Sequence, residues 1–256
     1  MNFRRYLWLL KDPARWQHTF HLVLDRLRTS GGQTKSQERE DATAWCESVA
    51  IPMVDAAAHL GLTLPDGELL NVPKAALTEA GTRVAETGAR MGGAGALDFI
   101  YTCVRLTRPT ACVETGVAFG WSSLAILTAL EENGDGRLVS VDMPYPLRNT
   151  ESFVGAAVPD HLRARWKLIR KPDRNGLVEA LKALPGGIQF AHYDSDKSVT
   201  GRGFAYPRLW AALKPGGLLI SDDINDNLGF KTFAEAAGRD FVVFKLDNKY
   251  VGALRR

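Results

Sequence analysis

From Pro109 onward, short apolar runs take turns with segments of helical period. ACVETG, RLVSVDM, WKLIRK, IQFAHYD and GLLISDD read as strands, each bounded by polar or glycine residues. Between them SSLAILTALEE, a stretch around 158–165, GLVEALKAL and YPRLWAAL read as helices. Strand and helix in alternation imply a parallel sheet covered on both faces, because each crossover must pack back onto it. The last piece, DFVVFKLDNKYVGALRR, breaks the rhythm. Asp247-Asn248 between two strand-like runs is a hairpin signal, so one terminal strand is expected to run antiparallel. The expected fold is therefore α/β, a doubly wound Rossmann-like sheet at 91–256.

The part before it reads differently. Between Arg4 and Arg28, Tyr6, Leu9, Leu10, Trp16, Phe20, Leu24 and Leu27 recur at helical spacing, with Pro13 able to start a second helix. SGGQTKSQEREDAT, 30–43, is polar and glycine-containing and is expected to be a mobile loop. Helices are expected at 45–60 and at 97–106, the latter ending before Arg108-Pro109. Residues 1–90 are thus expected to form a helical cap or lid, or a homodimer contact.

Composition removes several functions. The 256 residues carry a formal net charge of +3 with no long basic run, so no nucleic-acid footprint is present. Cys46, Cys103 and Cys112 lack the spacing of a disulfide framework or zinc cluster and are expected to be reduced and mostly buried. No stretch is apolar for long enough to span a bilayer, and YLWLL near the start is cut short by Lys11-Asp12-Pro13, too soon for a signal peptide. A cytoplasmic protein is expected.

Ligands of a doubly wound sheet bind beyond the carboxyl ends of its strands. VETGVAFGWSS, 113–123, stands there and lacks the dinucleotide pattern GxGxxG; it reads ExGxxxG. Gly116 and Gly120 let the backbone turn and approach a ligand, while Ser122 and Ser123 open the next helix at its positive end. A carboxylate at Glu114 would repel pyrophosphate and attract an ammonium group. Asp142 ends the next strand, where it can accept hydrogen bonds from ribose hydroxyls. A nucleoside joined to an amino acid, S-adenosylmethionine, satisfies both. Asp173 and Asn175, after the third strand, are candidates for the adenine.

HYDSDKS and ISDDIND follow the fourth and fifth strands and bring Asp194, Asp222 and Asp223 toward one edge. Clustered carboxylates with no His or Cys ligand select a hard cation, Mg2+ or Mn2+, which can acidify an acceptor hydroxyl. His192 lies on the same strand face as Asp194 and is a second candidate base. Arg202 is placed to meet an anionic acceptor, while Trp210 and Leu213 are expected to pack on the sheet.

These strings carry a resemblance. VETGVAFG and VSVDM resemble the first two motifs of the class I S-adenosylmethionine-dependent methyltransferases, which implies seven strands with the final hairpin strand antiparallel. YDSDKS, GRGFAYPRLW and PGGLLISDD are similar to strings of metal-dependent bacterial O-methyltransferases of natural-product and saccharide pathways. The resemblance implies Glu114 near the methionine amino group, Gly116 and Gly120 in the cofactor loop, and Asp142 on the ribose. HYDSDKS followed by ISDDIND also resembles the metal-dependent O-methyltransferases that include the catechol and caffeoyl-coenzyme A enzymes, where the pattern is DxDK followed by DN, and this implies Asp194 and Asp222 as metal ligands and Lys197 as general base. Asp223 stands where that group usually has Asn, an extra carboxylate that can also serve as a ligand. A free lysine is a poor base at neutral pH, so the metal's effect on the acceptor is expected to outweigh that of Lys197. The expected activity is methyl transfer to a hydroxyl of a small polar acceptor, a sugar or glycosylated metabolite preferred. The alternatives are a metal-independent methyltransferase with Lys197 or His192 as base, and a non-catalytic cofactor-binding module.

Overall fold

The computed structural model describes residues 35–144 and 150–256. The helix expected between Arg4 and Arg28, and residues 30–34 of the expected loop, lie outside them.

The remainder of that loop is helical. Helix α1 (Lys35–Val49) contains no glycine or proline, and i,i+4 bonds from Ser36 to Glu40 (3.0 Å) and Gln37 to Asp41 (2.9 Å) support its exposed face. Its inward face is narrow, with Ala42 and Cys46 buried and Trp45 tilted against Phe230 and Phe241. The helix expected at 45–60 is two helices. Pro52 has no N–H to continue α1, and Ile51 N donates to Val243 O instead (2.9 Å) before α2 (Met53–His59) begins. A turn-rich connection leads to α3 (Lys74–Glu86), then α4 (Leu97–Thr107), which ends at Arg108 in the left-handed region ahead of Pro109.

The sheet follows in the expected sequence: β1 (Ala111–Thr115), α5 (Trp121–Asn133), β2 (Arg137–Asp142), β3 (Trp166–Arg170), α6 (Asp173–Lys182), β4 (Ile188–Tyr193), α7 (Val199–Ala212), β5 (Leu213–Ser221), α8 (Gly229–Ala237), β6 (Phe241–Leu246) and β7 (Lys249–Arg255). The expected helix around 158–165 is a 3-10 segment, Asp160–Arg165. Strand order is β3-β2-β1-β4-β5-β7-β6. Strands β1 to β5 pair in parallel, and β7 lies antiparallel between β5 and β6, with Asp247 at positive φ in the turn.

Alternation along the strands splits the interior into two cores. Cys112, Phe190, Leu218 and Ile220 face α4 and α5 with Phe99 and Leu124, whereas Val113, Ala191 and Leu219 face the side of Leu177, Leu209 and Phe230. Ala56, Leu60, Val72 and Ala80 belong to the first core, so α2 and α3 pack continuously with the sheet across residue 90. All three cysteines are free and buried, and burial pushes the Cys46 thiol up to about 12. Trp210 packs edge-on against Phe233, and Leu213 is buried. Among the described residues no helix is long and apolar enough to cross a membrane.

Candidate active site

Three loops leave the carboxyl edge of the sheet by extending its hydrogen bonds one step: Gly116 N to Val141 O (2.8 Å), Asp194 N to Thr115 O (2.9 Å) and Asp222 N to Tyr193 O (3.0 Å). Between them opens a cavity of about 570 Å³. Gly116 must be glycine, because φ is +80° and a Cβ there would collide with the Asp194 carbonyl. Gly120, at φ +85°, turns the loop into α5. Gly116, Val117, Ala118 and Ser122 form one wall, Asp142 and Asp173 a second, and Asp194, Lys197 and Asp222 a third.

Glu114 is below this surface, fully buried and off the cavity wall. Its oxygens accept hydrogen bonds from Ser122 (2.6 Å), Ser123 (2.5 Å) and Ser140 (2.7 Å). A buried carboxylate needs such donors, and their effect is to tie the start of α5 to β1 and β2. The expected contact of Glu114 with the cofactor's amino group is therefore corrected: Glu114 shapes the loop from behind. Ser123 is likewise buried and turned to Glu114, whereas Ser122 reaches the cavity.

Asp142 does line the cavity, but it is already engaged. Arg170 Nη1 donates to it at 2.6 Å, and Val117 and Ala118 offer backbone N–H groups. Burial raises its pKa, and these donors oppose that rise. Arg170 also clamps Glu151 at 2.7 and 2.8 Å. Arg170 was missed in the sequence, although it is the terminal residue of β3, in register with Asp142 at the end of β2. On the same wall, Asp173 accepts from Ser195, and burial pushes its carboxyl up to about 6. Asn175 is not on the wall. Gly92, Gly93 and Gly95 also line the cavity, and a Cβ at Gly95 would stand 2.8 Å from Asp222 Oδ2. The run MGGAG was the available signal for that wall.

The acidic side is held by cations. Lys197 Nζ lies 2.9 Å from Asp194 and also pairs with Asp223, whose other oxygen is 2.9 Å from Lys249 Nζ. His192 is buried between Glu114 and Asp222, each ring nitrogen 3.6 Å from a carboxylate oxygen. Burial opposes a charge on His192, but Asp222 and Glu114 outweigh it and push its pKa up to about 10. Burial and the nearby charge of Asp222 raise Asp194. Burial also acts to raise Asp222, yet His192, Lys197 and Lys249 leave it lowered. His192, expected as a candidate base, is buried and absent from the cavity wall. Arg202 is within α7 and fully buried, donating to Asp223 O (2.6 Å) and Asn227 Oδ1 (3.1 Å); it does not meet an acceptor.

The residues fit a divalent cation in part. Asp194 and Asp222 line the cavity; Asp222 Oδ1 is buried without a hydrogen bond, whereas Asp194 Oδ1 is already 2.9 Å from Lys197 Nζ. Asp223 is off the wall with both oxygens facing lysines. The expected centre of three carboxylates is not assembled, since among the described residues no group of three His, Cys, Asp or Glu is placed to hold a metal ion.

The strand order and the antiparallel β7 are those of the Rossmann-like methyltransferase fold. Residues 113–224, from within β1 to the turn after β5, match the family model described as a methyltransferase domain. The fold is shared with cofactor-bound Rv0187 from MTB (15% identity, TM-score 0.56, covering 80% of this chain and 98% of that one). It is also shared with the O-methyltransferase from Bacillus cereus in complex with SAH (14%, TM-score 0.53, 82% and 100%). A third similar structure is the O-methyltransferase TomG from Streptomyces achromogenes, involved in tomaymycin synthesis, in complex with SAM (18%, TM-score 0.52, 73% and 92%). No curated protein sequence matches the chain.

Proposed function

We propose that this protein is an S-adenosylmethionine-dependent O-methyltransferase acting on a hydroxyl of a small polar acceptor. The observation that carries the reading is the cavity at the carboxyl edge of a methyltransferase fold, with the glycine loop and Asp142 on one side and Lys197 on the other. Gly116 to Gly120 would cradle the cofactor, and Asp142, held rigid by Arg170, would accept from the ribose hydroxyls. Asp173 would accept from the adenine amino group. Methyl transfer is a direct displacement, so the main task of the chain is alignment of two held molecules. Lys197, oriented by Asp194, would bind the acceptor oxygen or take its proton.

Mg2+ or Mn2+ would be held by Asp194 and Asp222, and the chemistry it supplies when bound is a more acidic acceptor hydroxyl. A sugar or glycosylated metabolite is the acceptor we favour, on the resemblance of YDSDKS, GRGFAYPRLW and PGGLLISDD. A cytoplasmic location, and a role of residues 1–90 in capping the site or forming a homodimer, complete the proposal.

Isothermal titration of S-adenosylmethionine with and without EDTA, then Mg2+ into the cofactor complex, tests it. Binding of both is expected. Cofactor binding without Mg2+ binding would leave a methyltransferase that relies on Lys197, and absence of cofactor binding would refute the function.

A further inference from the structure

The second carboxylate of the ISDD string is not where a cavity ligand would be. Asp223 is 7% exposed and absent from the cavity wall, while its neighbour Asp222 faces the cavity. Its backbone is in the left-handed region (φ +52°), a strained conformation that a residue with a side chain keeps where its surroundings impose it. The surroundings do so here: Arg202, fully buried in α7, donates from Nη2 to Asp223 O at 2.6 Å. The turned backbone directs the side chain to Lys197 on one oxygen and Lys249 on the other, the latter at 2.9 Å.

Lys197 is secured at its other end as well. Asn227 Nδ2 donates to Lys197 O (2.7 Å), and Asn227 Oδ1 accepts from Arg202 Nη1 (3.1 Å). One buried guanidinium therefore fixes both the backbone carrying Asp223 and the residue that holds the Lys197 carbonyl.

We propose that Asp223 is a positioning residue that anchors Lys197 at the cavity wall, with Lys249 of the β6–β7 hairpin as its second partner, and that it is not a metal ligand. The proposal rests on the methyl-transfer reading only for its effect on turnover; the anchor itself is a property of the folded chain. A carboxylate is needed because it can face two ammonium groups at once, whereas a carboxamide presents one oxygen and no charge. Lys249 is 60% exposed, so its pair with Asp223 is screened by solvent and its share of the effect is small.

The test compares the whole protein with Asp223→Asn, Lys249→Met and the double variant. Competitive acetylation read by mass spectrometry reports on Lys197 without any cofactor, and its acetylation is expected to be faster in Asp223→Asn. Turnover of Asp223→Asn is expected to fall by about 10- to 100-fold, the scale of a misplaced reacting group, with S-adenosylmethionine affinity and the calorimetric Mg2+ affinity unchanged. Lys249→Met, a surface change that leaves the fold intact, is expected to lower turnover about twofold and to have no effect in the Asp223→Asn background. Weaker Mg2+ binding by Asp223→Asn, independent effects of the two substitutions, or unchanged Lys197 acetylation would each overturn the anchor. Failure of the wild-type protein to bind cofactor would refute the methyl-transfer reading and leave the acetylation result to decide the anchor alone.

Discussion

The two sides of the cavity satisfy their carboxylates by different means. On the β1–β2 side, Glu114 takes three serine hydroxyls, and Asp142 takes Arg170 and two backbone N–H groups. On the β4–β5 side, Asp194, Asp222 and Asp223 are balanced by Lys197, Lys249 and His192, and Asp222 Oδ1 remains without a hydrogen bond. Hydrogen bonds to short side chains and backbone fix a geometry. Pairs with long lysines leave more room to exchange partners. The first side is fixed mainly by hydrogen bonds, the second by ion pairs.

That contrast breaks if a substitution on the first side leaves stability intact. Glu114→Ala should have the largest effect, destabilising the protein by about 3–5 kcal/mol, because three serines lose their acceptor and buried His192 loses one of its two flanking carboxylates. Chemical denaturation checks it, and an unchanged midpoint would remove Glu114 as the tie. Asp142→Ala should weaken S-adenosylmethionine by about 1.5–3 kcal/mol, the scale of hydrogen bonds to a charged group, as measured by calorimetry.

On the second side, Asp194→Asn is expected to abolish most turnover while the melting temperature holds or rises, since it relieves the charge repulsion with Asp222 that raises Asp194. A large loss of stability would erase the distinction between the two sides. The smallest effect sharpens it through pH. Asp173 is an acid whose folded pKa, about 6, lies above its ordinary 3.8. The folded state therefore holds the proton more tightly, and stability is greatest below pH 3.8 from this group and is lost as pH rises to 6. Asp173→Asn should remove that loss, gaining about 1–3 kcal/mol at pH 7, while weakening cofactor binding. A denaturation series from pH 4 to 8 compares the two proteins.

Much of the fold was legible because strand and helix periods differ. ACVET, RLVSVD and FVVFKLDNKYVGALR carry their secondary structure in their own residues. The loop expected at 30–43 failed over Lys35 to Thr43 because polarity was taken as absence of structure. An exposed helix needs only the two buried positions, Ala42 and Cys46, that α1 has. Within the site, Gly116, Gly120, Ser122, Asp142, Asp173, Asp194, Lys197 and Asp222 reach the cavity or its loop, as their positions at strand ends implied. Glu114, Ser123, His192 and Asp223 do not, and nothing in their spacing separates them from those that do.

The sequence by itself determined the order of elements, the edge of the sheet where the cavity opens and the need for glycine in the loop after β1. These follow from local periodicity and from the topology that short connections allow. Only the tertiary structure decided depth and partnership. Whether a carboxylate at a strand end faces the cavity or the core depends on a few degrees of backbone turn and on which hydroxyl, guanidinium or ammonium arrives from another element. Arg170 meets Asp142 across 28 positions of chain, and Arg202 reaches the backbone of Asp223 across 21. Such meetings are set by packing, which is a property of the whole chain and not of any one stretch of it.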